Sequence, residues 1–203
     1  MEHNVPPRIG TYSRTTGETS VSVTIGLDGS GQASVSTGNG MLDHLLNQLS
    51  RHGLIDLNVQ AEGDSALTGW HHTVEDTGIA FGRAFAEAVG DALGIRRMGH
   101  ALVPLDESLA RVALDISGRG YAVVDLGVSG TTIADLPGDL VRHFLESFAI
   151  EARVTLHVRV LEGVNAHHKV EASFKALAKA MRDAVELDPR AAGQTPSTKG
   201  AIG

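Results

Sequence analysis

A short box of metal-binding residue types occurs twice in the chain, and this duplication most constrains the fold. The first copy is His71-His72-Thr73-Val74-Glu75, and the second is His167-His168-Lys169-Val170-Glu171. Each is a pair of histidines followed by a carboxylate, and each opens a long run with helical spacing of apolar residues. The fold must therefore present the same cluster of ligand types at the start of two separate helices.

The residues upstream of the two boxes repeat as well. His44 precedes Gly63 by 19 positions, His143 precedes Gly163 by 20, and each glycine leads into a box. Two copies of one strand-helix-strand-helix unit, related by an internal pseudo-twofold axis, explain this order most simply. We therefore predict an α+β fold of two pseudo-symmetric repeats, each a roughly four-stranded sheet with two helices, packed as a sandwich.

Hydrophobic periodicity places the elements of both repeats. Alternating residues around a turn-forming Asp-Gly-Ser-Gly segment predict a β-hairpin, and helical spacing predicts the two helices that carry His44 and His143. The boxes are expected to open helices that end near Leu93 and Val185. The two strands of the predicted hairpin are Val21–Ile25 and Gln32–Thr37, and residues 1–10 are predicted to form a loose arm. The predicted helices that carry His44 and His143 are 41–52 and 140–149. The other predicted strands are 56–61, 101–105, 110–116, 121–126 and 154–161. The predicted units are residues 1–93, 94–187 and a polar tail, 188–203.

Composition excludes several classes of function. The 203 residues include no cysteine, which rules out disulfides, thiolate catalysis and cysteine zinc sites. A formal charge of -7 gives no general attraction for nucleic acid or for an anionic membrane. No apolar run reaches the length needed to span a bilayer. We expect a cytoplasmic protein whose anionic ligands, if any, are met by local basic clusters.

Helix geometry divides the histidines between two sites. Residues four apart share a helix face, so each box can offer its first histidine and its glutamate to one metal ion. The second histidine of each box points about 100° away and should serve the other ion. The predicted sites are His44, His72, His167 and Glu171 for one ion, and His71, Glu75, His143 and His168 for the other. Such ligands suit Mn, Fe, Co, Ni or Zn, and leave a position open for water or substrate.

Three basic segments stand out in this acidic chain. Arg96-Arg97 follows the first long helix, Arg119 lies between two glycines, and Lys199 follows Ser197 and Thr198. Hydroxyl groups, backbone amides and cationic side chains together form phosphate sites. Each segment alone has a plainer reading, as a turn or a solvated helix end. As a set near a metal site, they predict binding of a phosphate.

At this point the sequence resembles the imidazoleglycerol-phosphate dehydratase family, which acts in histidine biosynthesis. The resemblance runs from Glu18 to Gly200 in the family's order, and it departs from the family's usual pattern at Gly69-Trp70 and at Gly120. The matching stretches are Leu42–Leu46, His71–Asp76, Pro104–Glu107, Ser117–Arg119, His143–Ser147, His167–Glu171 and Pro196–Gly200.

The resemblance implies a chemistry and an assembly. The expected reaction removes water from imidazole glycerol phosphate to give imidazole acetol phosphate, without a fused phosphatase activity. The expected cofactor is Mn²⁺, two ions per active site, and the expected assembly is a shell of about 24 subunits built from trimers, with active sites at subunit interfaces. The implied phosphate ligands are Arg97, Arg119, Ser197, Thr198 and Lys199, and the other implied substrate contacts are Glu18, Gln48, His52, His44, His71, His72 and Glu75.

Glu18 is the candidate for proton transfer, because it matches a substrate-contacting carboxylate and lies outside the predicted ligand set. Its plainer reading is an exposed residue before a strand. Two rival functions use the same metal ligands. A dinuclear hydrolase would turn over a generic phosphoester without dehydration, and a non-enzymatic shell would use its metals only to join subunits.

Overall fold

The computed structural model describes residues 7–64 and 68–202, which form ten strands and four α-helices. The first half contains β1 (Ile9–Thr15), β2 (Ser20–Gly26), β3 (Ala33–Ser36), α1 (Gly40–Gly53), β4 (Asp56–Glu62) and α2 (His71–Val89). The second half contains β5 (Met98–Leu105), β6 (Ser108–Asp115), β7 (Tyr121–Asp125), β8 (Thr132–Ile133), β9 (Leu136–Pro137), α3 (Gly138–Glu151), β10 (Thr155–Glu162) and α4 (Ala166–Val185), followed by a 3-10 turn at Pro189–Ala191.

Each half is a four-stranded sheet with the same topology. The strand orders are β1-β2-β4-β3 and β5-β6-β10-β7, and in both sheets the last strand is the only one that pairs in parallel. The registers also correspond, because Tyr12 pairs with Val23 in the first half and Ala101 pairs with Val112 in the second. Two pseudo-symmetric α+β repeats are therefore confirmed.

The four helices lie between the two sheets. α2 packs on β1 and β2 and against α3, while α4 packs on β5 and β6 and against α1. Each helix pair thus joins one helix of the first repeat to one of the second. The centre of this layer is aromatic, with Phe81 and Phe85 of α2 against Phe148 of α3, and Phe144 of α3 against Phe174 of α4. The two repeats consequently share one core.

Local sequence explains where α1 and α4 begin. The side chain of Asn39 accepts a hydrogen bond from the amide of Leu42, and that of Asn165 accepts hydrogen bonds from the amides of His167 and His168. Both are N-caps that satisfy amides left free in the first helical turn. Along α1, Leu42, Leu45, Leu46 and Leu49 are buried at helical spacing, which leaves His44 on a more exposed face. The starts of α1 and α4, and with α4 the second box, are therefore fixed locally, whereas the N-cap residue of α2, Trp70, makes no side-chain capping bond.

Three boundary predictions are corrected. The predicted hairpin of 21–25 with 32–37 is wrong, because β1 and β4 occupy the two edges of β2, and β3 pairs in parallel with β4. The predicted loose arm is wrong at Ile9 and Gly10, which belong to β1, and its residues 1–6 lie outside the described part. α2 ends at Val89 rather than near Leu93, because Gly90 takes a φ of 60°. None of the helices described in residues 7–64 and 68–202 is long and apolar enough to cross a membrane.

Candidate active site: two histidine-carboxylate clusters and a cationic cleft

The first cluster joins α1 to α4. The Nε2 atoms of His44 and His167 each lie 2.9 Å from Oε2 of Glu171, and the two rings are 5.4 Å apart. His44 comes from the first repeat, whereas the other two residues come from the second box. One ligand atom from each residue lies within 4.8 Å of the others, which is a spacing that one metal ion can bridge.

The second cluster is the pseudo-symmetric counterpart and joins α2 to α3. Nε2 of His71 lies 3.8 Å from Oε2 of Glu75, and Nε2 of His143 lies 3.5 Å from Oε1 of the same carboxylate. The rings of His71 and His143 stack at 5.0 Å. Here too the ligand atoms fall within 4.8 Å of one another. Each cluster thus draws on both repeats, because each lies on a helix pair that joins them.

The donor atoms of these clusters fit a divalent transition metal. Imidazole nitrogen and carboxylate oxygen are the ligand types that Mn, Fe, Co, Ni and Zn share. Within the described residues, the buried Nε2 of His143 has no hydrogen-bond partner. A buried polar atom without a partner is costly, and coordination of a cation would satisfy it.

The second histidine of each box lies outside both clusters. His72 is contacted at Nδ1 by Asp64 at 3.1 Å, and its Nε2 lies 3.4 Å from Oε2 of Glu18. His168 is contacted at Nδ1 by Glu107 at 2.7 Å. The two histidines of each box therefore point in different directions, as the helical spacing predicts. This geometry does not bring His72 to the first cluster or His168 to the second within one chain.

The carboxylate of Glu171 is charged despite its burial. Burial alone raises the pKa of this group, but hydrogen bonds from Lys175, His44 and His167 outweigh it and lower the pKa to about 2. Nζ of Lys175 lies 2.7 Å from Oε1 of Glu171. A fixed anion beside two imidazoles is suited to holding a cation.

The other expected substrate contacts lie near the clusters on exposed or half-buried surface. Gln48 and His52 follow His44 along α1 at intervals of four residues, so the three share a face, and Oε1 of Gln48 lies 3.0 Å from Nε2 of His52. Burial and the charge of Lys175 lower the pKa of His52. The side chain of Glu18, 62% exposed, sits in the turn between β1 and β2. It faces outward beside His72.

The predicted phosphate ligands line one open cleft of about 550 Å³. Arg97 is ion-paired with Asp115 at 2.7 Å and donates to the carbonyl of Pro196, which holds the tail against the second sheet. Arg119 has no carboxylate partner among the described residues, since its guanidinium donates only to the Ser117 carbonyl. The cleft contains Arg97, Ser117, Arg119, Ser197, Thr198 and Lys199.

This cleft is remote from His168 of the same chain. It lies at the start of β5, whereas Glu107 and its partner His168 lie at the far end of that strand. An eight-residue strand spans about 25 Å, so one small substrate cannot contact both ends. The described residues that line the cleft include none of the eight predicted metal ligands.

Three side chains that contact the predicted metal ligands were not predicted from sequence. Asp64 and Glu107 contact box histidines through hydrogen bonds that span 8 and 61 positions, which no local spacing reveals. Lys175 could have been found, because it lies four residues after Glu171 on the same helix. The Gly69-Trp70 departure forms a turn with φ of 87° and 65° just before α2, and it replaces no ligand.

Comparison with known proteins shows the family to which the chain is similar. The model of the family described as imidazoleglycerol-phosphate dehydratase matches residues 37–181. Among curated relatives, the imidazoleglycerol-phosphate dehydratase of Dehalococcoides mccartyi is 55% identical over 96% of this chain and 97% of its own length. That of Streptomyces avermitilis is also 55% identical, over 96% and 99%.

Solved structures of this family have the same fold. The Pyrococcus furiosus enzyme superposes with a TM-score of 0.80 at 34% identity, covering 94% of this chain and 100% of that one. The Staphylococcus aureus enzyme gives 0.79 at 34% identity, with coverage of 89% and 99%. The chain therefore belongs to the imidazoleglycerol-phosphate dehydratase family, hydro-lyases of histidine biosynthesis.

Proposed function

We propose that the chain removes water from imidazole glycerol phosphate to give imidazole acetol phosphate, using two Mn²⁺ ions at each active site. The observation that carries this proposal is the pair of equivalent clusters, each with two imidazoles and one carboxylate within 4.8 Å. Because the family acts on a phosphorylated substrate, the cationic cleft supports the same reaction. The non-enzymatic rival does not account for the cleft. A phosphoester hydrolase could use the same clusters and cleft, and the family to which the chain belongs favours dehydration over hydrolysis.

The residues that would hold the metal ions are those of the two clusters, completed by His72 and His168. When bound, Mn²⁺ would act as a Lewis acid that stabilises negative charge on the imidazole ring of the substrate. The fixed charge of Glu171 and the unpartnered nitrogen of His143 prepare the two clusters for a cation. The metal ligands thus place the ring, and other side chains of the chain must do the proton chemistry.

Glu18 would take the proton from the second carbon from the ring, which becomes the carbonyl carbon of the product. It is a carboxylate outside both clusters, it is exposed, and it lies 3.4 Å from the ligand edge of His72. A base must lie within hydrogen-bond reach of the proton that it abstracts, and this position is beside the expected ring. The hydroxyl on the carbon next to the ring takes up one proton and leaves as water, which balances the proton that Glu18 accepts, and the resulting enol tautomerises to the ketone. Arg119 and Lys199, holding the phosphate, would fix the reacting carbons relative to Glu18.

The active site would be shared between subunits. In one chain, His72 and His168 lie outside the three-residue clusters, and the cationic cleft is about 25 Å from His168. Neighbouring chains would supply the missing parts in an assembly of about 24 subunits built from trimers. The outer face of the second sheet exposes Leu102, Tyr121 and Val123, which are 58%, 61% and 43% accessible and suit burial against another subunit. We expect this assembly in the cytoplasm.

A dehydratase assay with and without a chelator tests the proposal. We expect the metal-free protein to lose nearly all turnover of imidazole glycerol phosphate, and added Mn²⁺ to restore it. Size-exclusion chromatography of the same samples should show a smaller particle after chelation. Equal turnover before and after metal removal would contradict the mechanism. Turnover of a generic phosphoester, without dehydration, would favour the hydrolase.

A further inference from the structure

The turn that carries Glu18 has an exact counterpart in the second repeat. An amide-to-carbonyl hydrogen bond of 2.8 Å from Thr16 to Thr19 closes the first turn, and the pairing of Leu105 with Ser108 closes the second. The strand registers superpose these closing pairs, so Glu18 and Glu107 hold the same central position in their turns.

The two equivalent glutamates nevertheless contact their histidines differently. Glu107 lies 2.7 Å from Nδ1 of His168 with one oxygen, and its other oxygen accepts hydrogen bonds from the amides of Val164 and Asn165. Glu18 instead faces Nε2 of His72, at 3.4 Å. On His168, the carboxylate nearest to Nε2 is that of Asp106, at 3.8 Å.

Asp64 occupies the Nδ1 side of His72. It lies 3.1 Å from that nitrogen, and it also accepts hydrogen bonds from the amides of His72 and Thr73 at the start of α2. Its side chain is only 6% exposed. In the second repeat, the residue that follows the equivalent glycine is Val164, which is 87% exposed and has no carboxylate to offer.

The two repeats therefore use different residues to cap the helix and to contact Nδ1 of the second box histidine. In the second repeat, Asn165 caps the helix and Glu107 contacts Nδ1 of the histidine. In the first repeat, Asp64 does both. A histidine that ligates a metal through one ring nitrogen is usually held by a carboxylate at the other, which fixes its tautomer and direction. Because Asp64 already contacts Nδ1 of His72, Glu18 is not needed to orient that histidine.

We infer that Asp64 and Glu107 are the positioning residues that present Nε2 of His72 and of His168 to the metal ions, and that Asp64 frees Glu18 for proton transfer. The inference rests on the proposed function insofar as His72 and His168 are metal ligands. It assigns opposite tasks to two glutamates that the internal symmetry makes equivalent: Glu107 orients a ligand, whereas Glu18 faces the substrate.

Metal affinity of the purified full-length protein tests the positioning role directly. Titration with Mn²⁺, with the free ion followed by electron paramagnetic resonance, should show binding weakened about 10- to 100-fold in Asp64→Asn and in Glu107→Gln. The matched control is Asp56→Asn, since Asp56 accepts hydrogen bonds from the amides of Ser30 and Gln32 without contacting a histidine. This control should keep its Mn²⁺ affinity. Wild-type affinity in either test variant, or an equal loss in the control, overturns the inference.

The division between the two glutamates has its own test. Glu18→Gln should bind Mn²⁺ within about threefold of wild type and lose at least about 100-fold in kcat. Glu107→Gln should show the affinity loss described above. If Glu18→Gln weakens Mn²⁺ binding as much as Glu107→Gln does, Glu18 merely repeats the task of its counterpart and the division is overturned. A wild-type protein without dehydratase activity would refute the proposed function, while the affinities would still decide the positioning roles.

Discussion

The side chain of His143 has surroundings that favour a metal ligand over an ordinary core histidine. Its Nε2 is buried and lacks a hydrogen-bond partner among the described residues, whereas Nε2 of His44 is paired with Glu171 at 2.9 Å. In a protein without metal, Nε2 of His143 therefore lacks a stabilising hydrogen bond, whereas Nε2 of His44 has one. The two histidines occupy equivalent places in the repeats, so they form a matched pair for experiment.

Replacing each of these histidines by leucine should therefore have opposite effects on the metal-free protein. His143→Leu removes a buried nitrogen that makes no hydrogen bond and has only a half-exposed contact of 3.5 Å with Oε1 of Glu75, so the free energy of unfolding should stay within about 0.5 kcal/mol of wild type or rise. His44→Leu removes a hydrogen bond to the buried Glu171 and should cost about 1 kcal/mol or more. Chemical denaturation in the presence of chelator measures both. A larger loss in His143→Leu than in His44→Leu would contradict this reading of the site.

The two arginines of the cationic cleft make different contacts, so their substitutions should have different effects. Arg119 has no carboxylate partner among residues 7–64 and 68–202, so Arg119→Ala should raise KM at least about tenfold with little change in thermal stability. Arg97 pairs with Asp115 and holds the carbonyl of Pro196, so Arg97→Ala should lower the melting temperature as well. Steady-state kinetics and thermal denaturation of both variants measure this. An unchanged KM in Arg119→Ala would remove the cleft from phosphate binding.

At the scale of elements, the contact between α2 and α3 sets the geometry of one cluster. A Cβ atom at Gly82 would lie 2.8 Å from the carbonyl oxygen of Phe148, so the two helices approach more closely there than a side chain permits. This approach places His71 and Glu75 against His143. Backbone contact between the helices at Gly82 thus influences the spacing of His71 and Glu75, which lie 11 and 7 residues earlier on the same helix, relative to His143.

Gly82→Ala should consequently affect both stability and metal binding. Forcing α2 from α3 should cost about 1–3 kcal/mol of unfolding free energy and weaken Mn²⁺ binding, because it separates the ligands of the second cluster. The control is Gly40→Ala in the first turn of α1, where a Cβ atom meets nothing within 4 Å. That variant should be neutral or slightly more stable. Denaturation and Mn²⁺ titration check both, and unaltered metal affinity in Gly82→Ala would refute the link.

The sequence predicted the elements that its periodicity marks and failed where distant pairing decides. The helices that carry His44 and His143 were found because buried leucines and phenylalanines recur at helical spacing. The hairpin of β2 with β3 was wrong because which strand pairs with β2 depends on β4, far along the chain. Likewise, the internal repeat revealed the cluster residues, but the contacts of Asp64 and Glu107 follow only from the folded turns.

At the scale of the whole molecule, one chain holds the predicted parts of the active site at places that a single substrate cannot span. The cationic cleft and His168 lie at opposite ends of β5, about 25 Å apart. Both box histidines outside the clusters point to surface positions, and the second sheet exposes apolar side chains. These features support the proposal that chains associate to complete each site, as they would in a closed symmetric assembly.

Mixing two inactive variants tests this sharing of sites. His72→Ala removes a predicted ligand histidine and leaves the cleft intact, whereas Arg119→Ala does the reverse. If the two residues of one site come from different chains, random co-assembly of equal amounts should restore about one quarter of wild-type activity, since one site in four receives both intact contributions. Each variant assembled alone is the control and should remain nearly inactive at low substrate concentration. Co-expressed subunits with two distinguishable tags, purified sequentially and assayed for dehydration, provide the measurement. No activity above the controls, in particles shown to contain both variants, would place the cleft and His72 of each site in a single chain.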